Sequence, residues 1–246
     1  MSNYYHGAKA SKQATSVSTP VVADSSIHLI VGTAPVHTVG GKINEPVYAS
    51  NYAEAVAAMG YSDEWDKYDI CEEIYSSFKL YSNGPIIMVN VLDPAKHLKG
   101  AETVEKTLAG GITELPYEAV SDTVEVKGYD GEDSLTETYT RGEDYDLFYT
   151  DGVLRLERIE SGKIKADNAR LNIKFNSVDP SKVTKKEIIG GYDTNTNKSS
   201  GFELVDSVYP KYGVIPTLFL APNFSTDSEV AAIMACLLYT SPSPRD

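Results

Sequence analysis

Residues 51–93, NYAEAVAAMGYSDEWDKYDICEEIYSSFKLYSNGPIIMVNVLD, decide how this chain folds. Tyr52, Ala55, Val56 and Met59 recur at the spacing of one helical face, Ser50 is placed to cap a helix over 51–59, and Gly60 stops it. A second helix is expected over 67–82, with Cys71, Ile74, Tyr75, Phe78 and Tyr81 or Ser82 on its inner stripe and Asn83 and Gly84 as its stop. Residues 85–92, PIIMVNVL, then form a nearly continuous apolar run, as a strand covered on both faces requires. Helix, loop, helix and buried strand follow one another without a catalytic constellation. The stretch describes a part that packs, not one that reacts.

Upstream, IHLIVGT at 27–33 is a short β run ended by Gly32. Downstream, between about 115 and 175, the apolar period changes to two. Val124 and Val126, then Tyr145, Leu147 and Tyr149, then Leu171, Ile173 and Phe175 alternate with polar residues, and Asp151-Gly152 and Ser161-Gly162 read as turns. This predicts a small antiparallel module of four to six strands. Helical signals return with Asp179-Pro180, which should open a helix to about Ile189 that ends at Gly190 and Gly191. A polar loop at 193–200, a helix near 202–209, a buried strand at 215–221 and a capped helix at 227–235 complete the pattern.

The expected fold class is therefore an α/β (α+β) main domain with an inserted small antiparallel β domain and an extended N-terminal arm. The arm takes residues 1–22, the main domain 23–95 and 179–235, and the inserted domain with its flanking linker 96–178. Within the arm, residues 15–23 are β-branched with one proline, the composition of an edge strand. The last stretch, CLLYTSPSPRD at 236–246, interrupts an amphipathic helix with a Pro/Ser run. It reads as a library adapter translated in frame, so that the native chain is expected to continue beyond Ala235.

Composition excludes several classes. A net charge of −13 over 246 residues opposes binding to nucleic acid, which needs clustered Lys and Arg. The longest apolar run falls far short of the ~20 residues that span a bilayer, and residues 1–20 lack the apolar middle of a secretory signal, so no membrane insertion is expected. Two cysteines, Cys71 and Cys236, do not make a disulfide framework.

The chemical motifs fail one by one. His6, His28, His37 and His97 have no metal-ligand spacing; His28, inside a strand, reads as a structural histidine and Cys71 as a small buried hydrophobe. Gly40, Gly41 and Lys42 resemble the end of a phosphate loop without its glycine spacing, and read as a turn. The run from Asp193 to Asn197 imitates a calcium loop, but Lys198 stands where Gly is needed and Leu204 where a bidentate Glu is needed. Asp130, Glu132 and Asp133 read as a solvated turn. No catalytic residue, cofactor or metal is assigned.

Taken in order, IHLIVGTAP, Pro46-Val47, YAEAVAAMG, ICEEIYSSFKLYSNGPIIMVNVLDP, the β module with Gly142-Glu143-Asp144-Tyr145, Gly152-Val153-Leu154 and Ser161-Gly162-Lys163-Ile164, and LVDSVYPKYGVIPTLFLAPNFSTDSEV resemble the sheath proteins of contractile phage tails and tailocins. The resemblance runs from about residue 4 to 235. It implies a non-enzymatic virion structural protein: a homo-oligomer of hexameric rings stacked helically around a tail tube protein, bounded by baseplate and tail terminator proteins. It further implies assembly in the bacterial host cytoplasm, residence in the virion tail, and contraction that drives the tube through the host envelope. Thr15, Ser16, Val17, Ser18, Thr19, Val21 and Val22 are then expected to link subunits as a strand-forming arm. Sheath proteins generally carry a further C-terminal region with a second joining arm, which this chain lacks. The alternatives are an α/β ligand-binding or enzymatic domain with an inserted β module, and a surface adhesin, which would carry an export signal.

Overall fold

The computed structural model describes residues 27–129, 135–166 and 168–240. The arm over 1–22, the turn with Asp130, Glu132 and Asp133, and residues 241–246 lie outside them.

The described residues open with β1 (His28–Gly32), β2 (Val47–Ala49), α1 (Tyr52–Met59), α2 (Asp69–Tyr75) and β3 (Ile86–Asn90). Seven strands follow: β4 (Glu102–Thr107), β5 (Ile112–Pro116), β6 (Glu125–Tyr129), β7 (Leu135–Tyr139), β8 (Tyr145–Thr150), β9 (Val153–Arg158) and β10 (Arg170–Phe175). The remainder is α3 (Lys185–Ile189), the hairpin β11 (Gly191–Asp193) and β12 (Lys198–Ser200), α4 (Val208–Tyr212), β13 (Leu218–Leu220) and α5 (Ser228–Thr240).

One sheet has the order β13-β1-β3-β2, with β1 parallel to both β13 and β3 and β2 antiparallel to β3. All five residues of β3 are buried, as its unbroken apolar sequence required. Leu29, Val31, Ile87, Val89 and Phe219 face one apolar cluster, and Ile30, Ile86 and Met88 face another, so the sheet is covered on both sides. Strands β4-β10-β6-β7 and β5-β9-β8 form two further antiparallel sheets. They share a third cluster in which Val126, Leu171, Ile173 and Phe175 meet Leu115, Tyr145, Leu147, Leu154 and Leu156. The period-two residues therefore point where the sequence placed them. The fold class is α+β, mixed in one sheet and antiparallel in the others.

The details depart from expectation in instructive ways. Among the described residues the expected span holds six strands, β5 to β10, within the four to six expected, and β4 (ETVEKT) adds a seventh ahead of it that turns just Val104 partly inward and leaves little alternation to read. Asn51, not Ser50, caps α1: its side chain accepts from Glu54 N at 3.0 Å, and the Glu54 carboxylate reaches back to Ser50 N at 2.8 Å. Helix α2 starts at Asp69 and passes at Ser76–Leu80 into a π-type turn, in which Tyr81 N bonds Ser76 O. Cys71 and Ile74 are buried as expected, with Ile70 and Ser77 beside them, and after the wider turn Tyr81 is 75% exposed.

The helix expected from Asp179 is two pieces. A 3-10 turn at Pro180–Lys182 is capped by Asp179, and α3 has its own capping box made by Thr184 and Glu187. The polar loop at 193–200 belongs to the β11–β12 hairpin. The helix near 202–209 is a 3-10 segment, Gly201–Ser207, followed by α4. The strand at 215–221 shortens to β13, and α5 runs past Ala235 to Thr240.

Candidate functional site

The place where such a sheet could hold a ligand is the crevice beyond the carboxyl ends of the neighbouring parallel strands β1 and β13. A cavity of about 330 Å³ lies there, with Thr33, Asp69, Lys99, Glu118, Asp179 and Asn223 among its walls.

Asp69 is its most distinctive group. The side chain is 2% exposed, at the first position of α2, and accepts from Thr33 N at 2.6 Å and Thr33 Oγ1 at 3.2 Å. Thr33 Oγ1 also lies 2.8 Å from Lys67 O. Burial pushes the Asp69 carboxyl up to about 7, against the opposing pull of the Thr33 and Ile70 hydrogen bonds. A Cβ on Gly32 would stand 2.2 Å from Asp69 Oδ1, so glycine is required for the carboxylate to reach the end of β1. Asn90, at the end of β3, accepts from Ala34 N and Leu92 N and donates to Leu92 O. These two side chains tie the loops beyond the strands to the sheet.

Lys67 and Glu118 in the charged wall are likewise engaged. Lys67 pairs with Glu118 at 2.6 Å and with Glu64 at 3.0 Å. Burial would lower the Lys67 ammonium, but the two carboxylates outweigh it and leave it raised; burial would raise Glu118, and Lys67 leaves it lowered. The crevice thus has the position of a ligand site and the hydrogen bonding of a structural joint.

The residues weighed as chemical candidates are placed apart. His28 holds Glu73 at 2.7 Å through Nδ1 and Asn83 at 3.1 Å through Nε2, a structural role as expected. His97 Nδ1 accepts from Asp93 N. Cys71 is fully buried, and burial pushes its thiol up to about 12, which suits a packing residue and not a nucleophile. Gly40 and Gly41 form a turn in which Gly41 N bonds Val36 O, and Lys42 pairs with Glu45. Asp193 spends its oxygens on Asn195 N and Thr196 Oγ1 inside the hairpin turn. Among the described residues, no group of three His, Cys, Asp or Glu side chains is placed to hold a metal ion, and no helix is long and apolar enough to cross a membrane.

A second feature escaped the sequence. Tyr117 and His37 join the β4–β10 region to the loops around the first sheet, and Tyr149 packs on them from within the β region. Tyr117 OH donates to Tyr61 O at 2.9 Å, and Tyr149 OH donates to Ala119 O at 2.6 Å while accepting from Ser121 N. His37 sits between them, its ring centroid 5.9 Å from Tyr117 and 5.6 Å from Tyr149, with Nε2 3.0 Å from Tyr117 O. Burial holds the imidazole below its ordinary pKa, against the Tyr117 carbonyl and Glu118. No spacing rule links residues 37, 61, 117 and 149, so nothing in the sequence signalled the cluster. The arm residues expected to link subunits, Thr15, Ser16, Val17, Ser18, Thr19, Val21 and Val22, lie outside the described residues.

No family model matches the chain. It is similar to a tail sheath protein of Burkholderia phage BcepMu, 28% identical over 231 residues that make up 93% of this chain and 45% of that protein. The chain therefore spans less than half the length of that relative. The similarity extends across both the first sheet and the β4–β10 region.

Proposed function

We propose that this chain, which its similarity to a tail sheath protein ties to the phage tail sheath family, is part of a structural subunit that polymerises around a tail tube and contracts to drive it through the host envelope. The observation that carries this reading is the breadth of the similarity, 93% of the chain, together with a crevice in which Asp69, Lys67 and Glu118 bond to the fold itself. Residues 23–95 and 179–235 act as the main domain, residues 96–178 as an inserted β domain, and residues 1–22 as the linking arm.

The mechanism needs geometry and no cofactor. Head-to-tail contacts whose rotation does not close generate an open helical array, here hexameric rings stacked along the tube between baseplate and terminator. Residues 15–22 of one subunit add as a strand to a neighbour, where backbone hydrogen bonds supply strength with little demand on sequence. The arms keep subunits linked while the rigid bodies turn. An extended lattice held by a barrier relaxes to one with more burial, and a release on the order of a few kcal/mol per subunit suffices because the lattice sums it. Subunits are made in the host cytoplasm and reside in the virion tail.

The rival reading, an α/β ligand-binding or enzymatic domain, rests on the crevice at the carboxyl ends of β1 and β13. It predicts a monomer that binds or turns over a small molecule. Expressed with its native continuation, the protein should form sheath-like tubes visible by electron microscopy, and a persistent monomer at high concentration would refute the sheath reading. Deleting residues 1–22 should abolish the tubes and leave the circular dichroism spectrum and melting temperature unchanged; intact tubes would remove the arm from the mechanism.

A further inference from the structure

The winding of the first sheet fixes what its free edge receives. β1 leads to β3 through α1 and α2, whose Ala55, Met59, Ile70 and Ile74 pack on the face of Ile30, Ile86 and Met88. β3 leads back past β1 to β13, and the helices before β13 pack on the opposite face, with Ile188 and Val208 in the cluster of Leu29, Ile87, Val89 and Phe219. Parallel crossovers are right-handed in about 98% of cases. Under that rule, one face of a sheet carries the chain in one lateral direction and the other face carries it back. The two crossovers here run in opposite directions over opposite faces, as the rule requires.

Helix α5 leaves β13 and returns Val230, Ile233 and Met234 to the same cluster as Phe219. It lies on the face over which the chain travels from β3 towards β13. A right-handed return to the sheet from α5 must continue in that direction. Among the described strands none stands there, because β13 pairs with β1 alone, in the register His28 to Leu218 through Ile30 to Leu220. Leu218 is 43% exposed at this edge, whereas Ile86, level with it two strands further in, is fully buried.

We propose that the free edge of β13 receives a fifth, parallel strand of the same polypeptide, delivered by α5. Its backbone pairs with β13, and its apolar side chains extend the cluster around Phe219 and cover Leu218. The matching relative is more than twice as long as the stretch it shares with this chain, so chain enough for such a strand exists in proteins of its kind. The inference rests on chain direction and helix faces, not on the sheath role, and its failure would leave that role untouched.

The test joins residues 1–235 to the C-terminal remainder of the BcepMu tail sheath protein and determines the structure of the product; if that chimera does not fold, the BcepMu protein itself is used. The first strand after the α5 counterpart is expected beside the β13 counterpart, parallel to it and on the side away from β1. A bare edge, an antiparallel strand, a strand from another subunit, or a first strand placed elsewhere in the sheet would each overturn the proposal.

Discussion

Replacing Asp69 by Asn isolates the cost of keeping a charge at the end of β1. The carboxyl is 2% exposed and titrates near 7, against an ordinary 3.8. Because the folded-state pKa lies above the unfolded one, the folded protein holds a proton between pH 4 and 7 that the unfolded chain has released. Stability from this group is therefore fully present below about pH 4 and is lost as pH rises through 7. A displacement of roughly three units corresponds to about 4 kcal/mol at most between those limits, with a slope no steeper than about 1.4 kcal/mol per pH unit. The amide keeps an oxygen for Thr33 N and Thr33 Oγ1, now at 2.6 and 3.2 Å, and never charges. Its extra N–H₂ adds a cost that does not vary with pH. Urea denaturation of both proteins at pH 5, 6, 7 and 8 reads the difference between them, in which other titrating groups cancel. The parent should lose ground to Asp69→Asn steadily from pH 5 to 7 and level off above. Parallel stability curves would show that Asp69 ionises normally in the fold, and the account of the buried joint would be wrong.

Two further substitutions probe the same architecture. Gly32→Ala places a methyl 2.2 Å from Asp69 Oδ1, and by overpacking should cost about 1–3 kcal/mol in urea denaturation; a neutral result would mean that α2 is free to retreat from β1. Tyr149→Phe removes the hydroxyl that bonds Ala119 O and Ser121 N, and should destabilise by about 1–3 kcal/mol. If chemical denaturation shows no change, water has replaced both bonds and the hydroxyl does not fasten β8 to the segment 119–121.

Much of this architecture could be read from local pattern. The alternation of Leu171, Ile173 and Phe175 gave β10 and its inward face, and the unbroken PIIMVNVL gave a strand buried on both sides. Asp151-Gly152 gave the β8–β9 hairpin, where φ values of 49° and 75° suit the tight turn between Thr150 and Val153. The errors arose where two local signals compete or a weak one stands alone. Ser50 and Asn51 are equally good caps, and the Glu54 carboxylate decided between them. Residues 180–189 carry two cap signals, and each took its own short helix. The π-type turn after Tyr75 has no signature in side-chain spacing, so the expected stripe held at Cys71, Ile74 and Phe78 and failed at Tyr81 and Ser82.

The sequence by itself determined most of the longer strands and helices, the inward faces of β3 and β10, and the likeness to tail sheaths. These follow from periodicities of 2 and 3.6, from cap and turn chemistry, and from the order of short motifs, all of which are local. Tertiary structure alone decided that β1 lies between β13 and β3, that Asp69 is buried against Thr33, and that His37, Tyr61, Tyr117 and Tyr149 meet. Such neighbours are set by the handedness of crossovers and the faces that helices cover, which act between segments far apart in the chain and leave no periodic trace within either one.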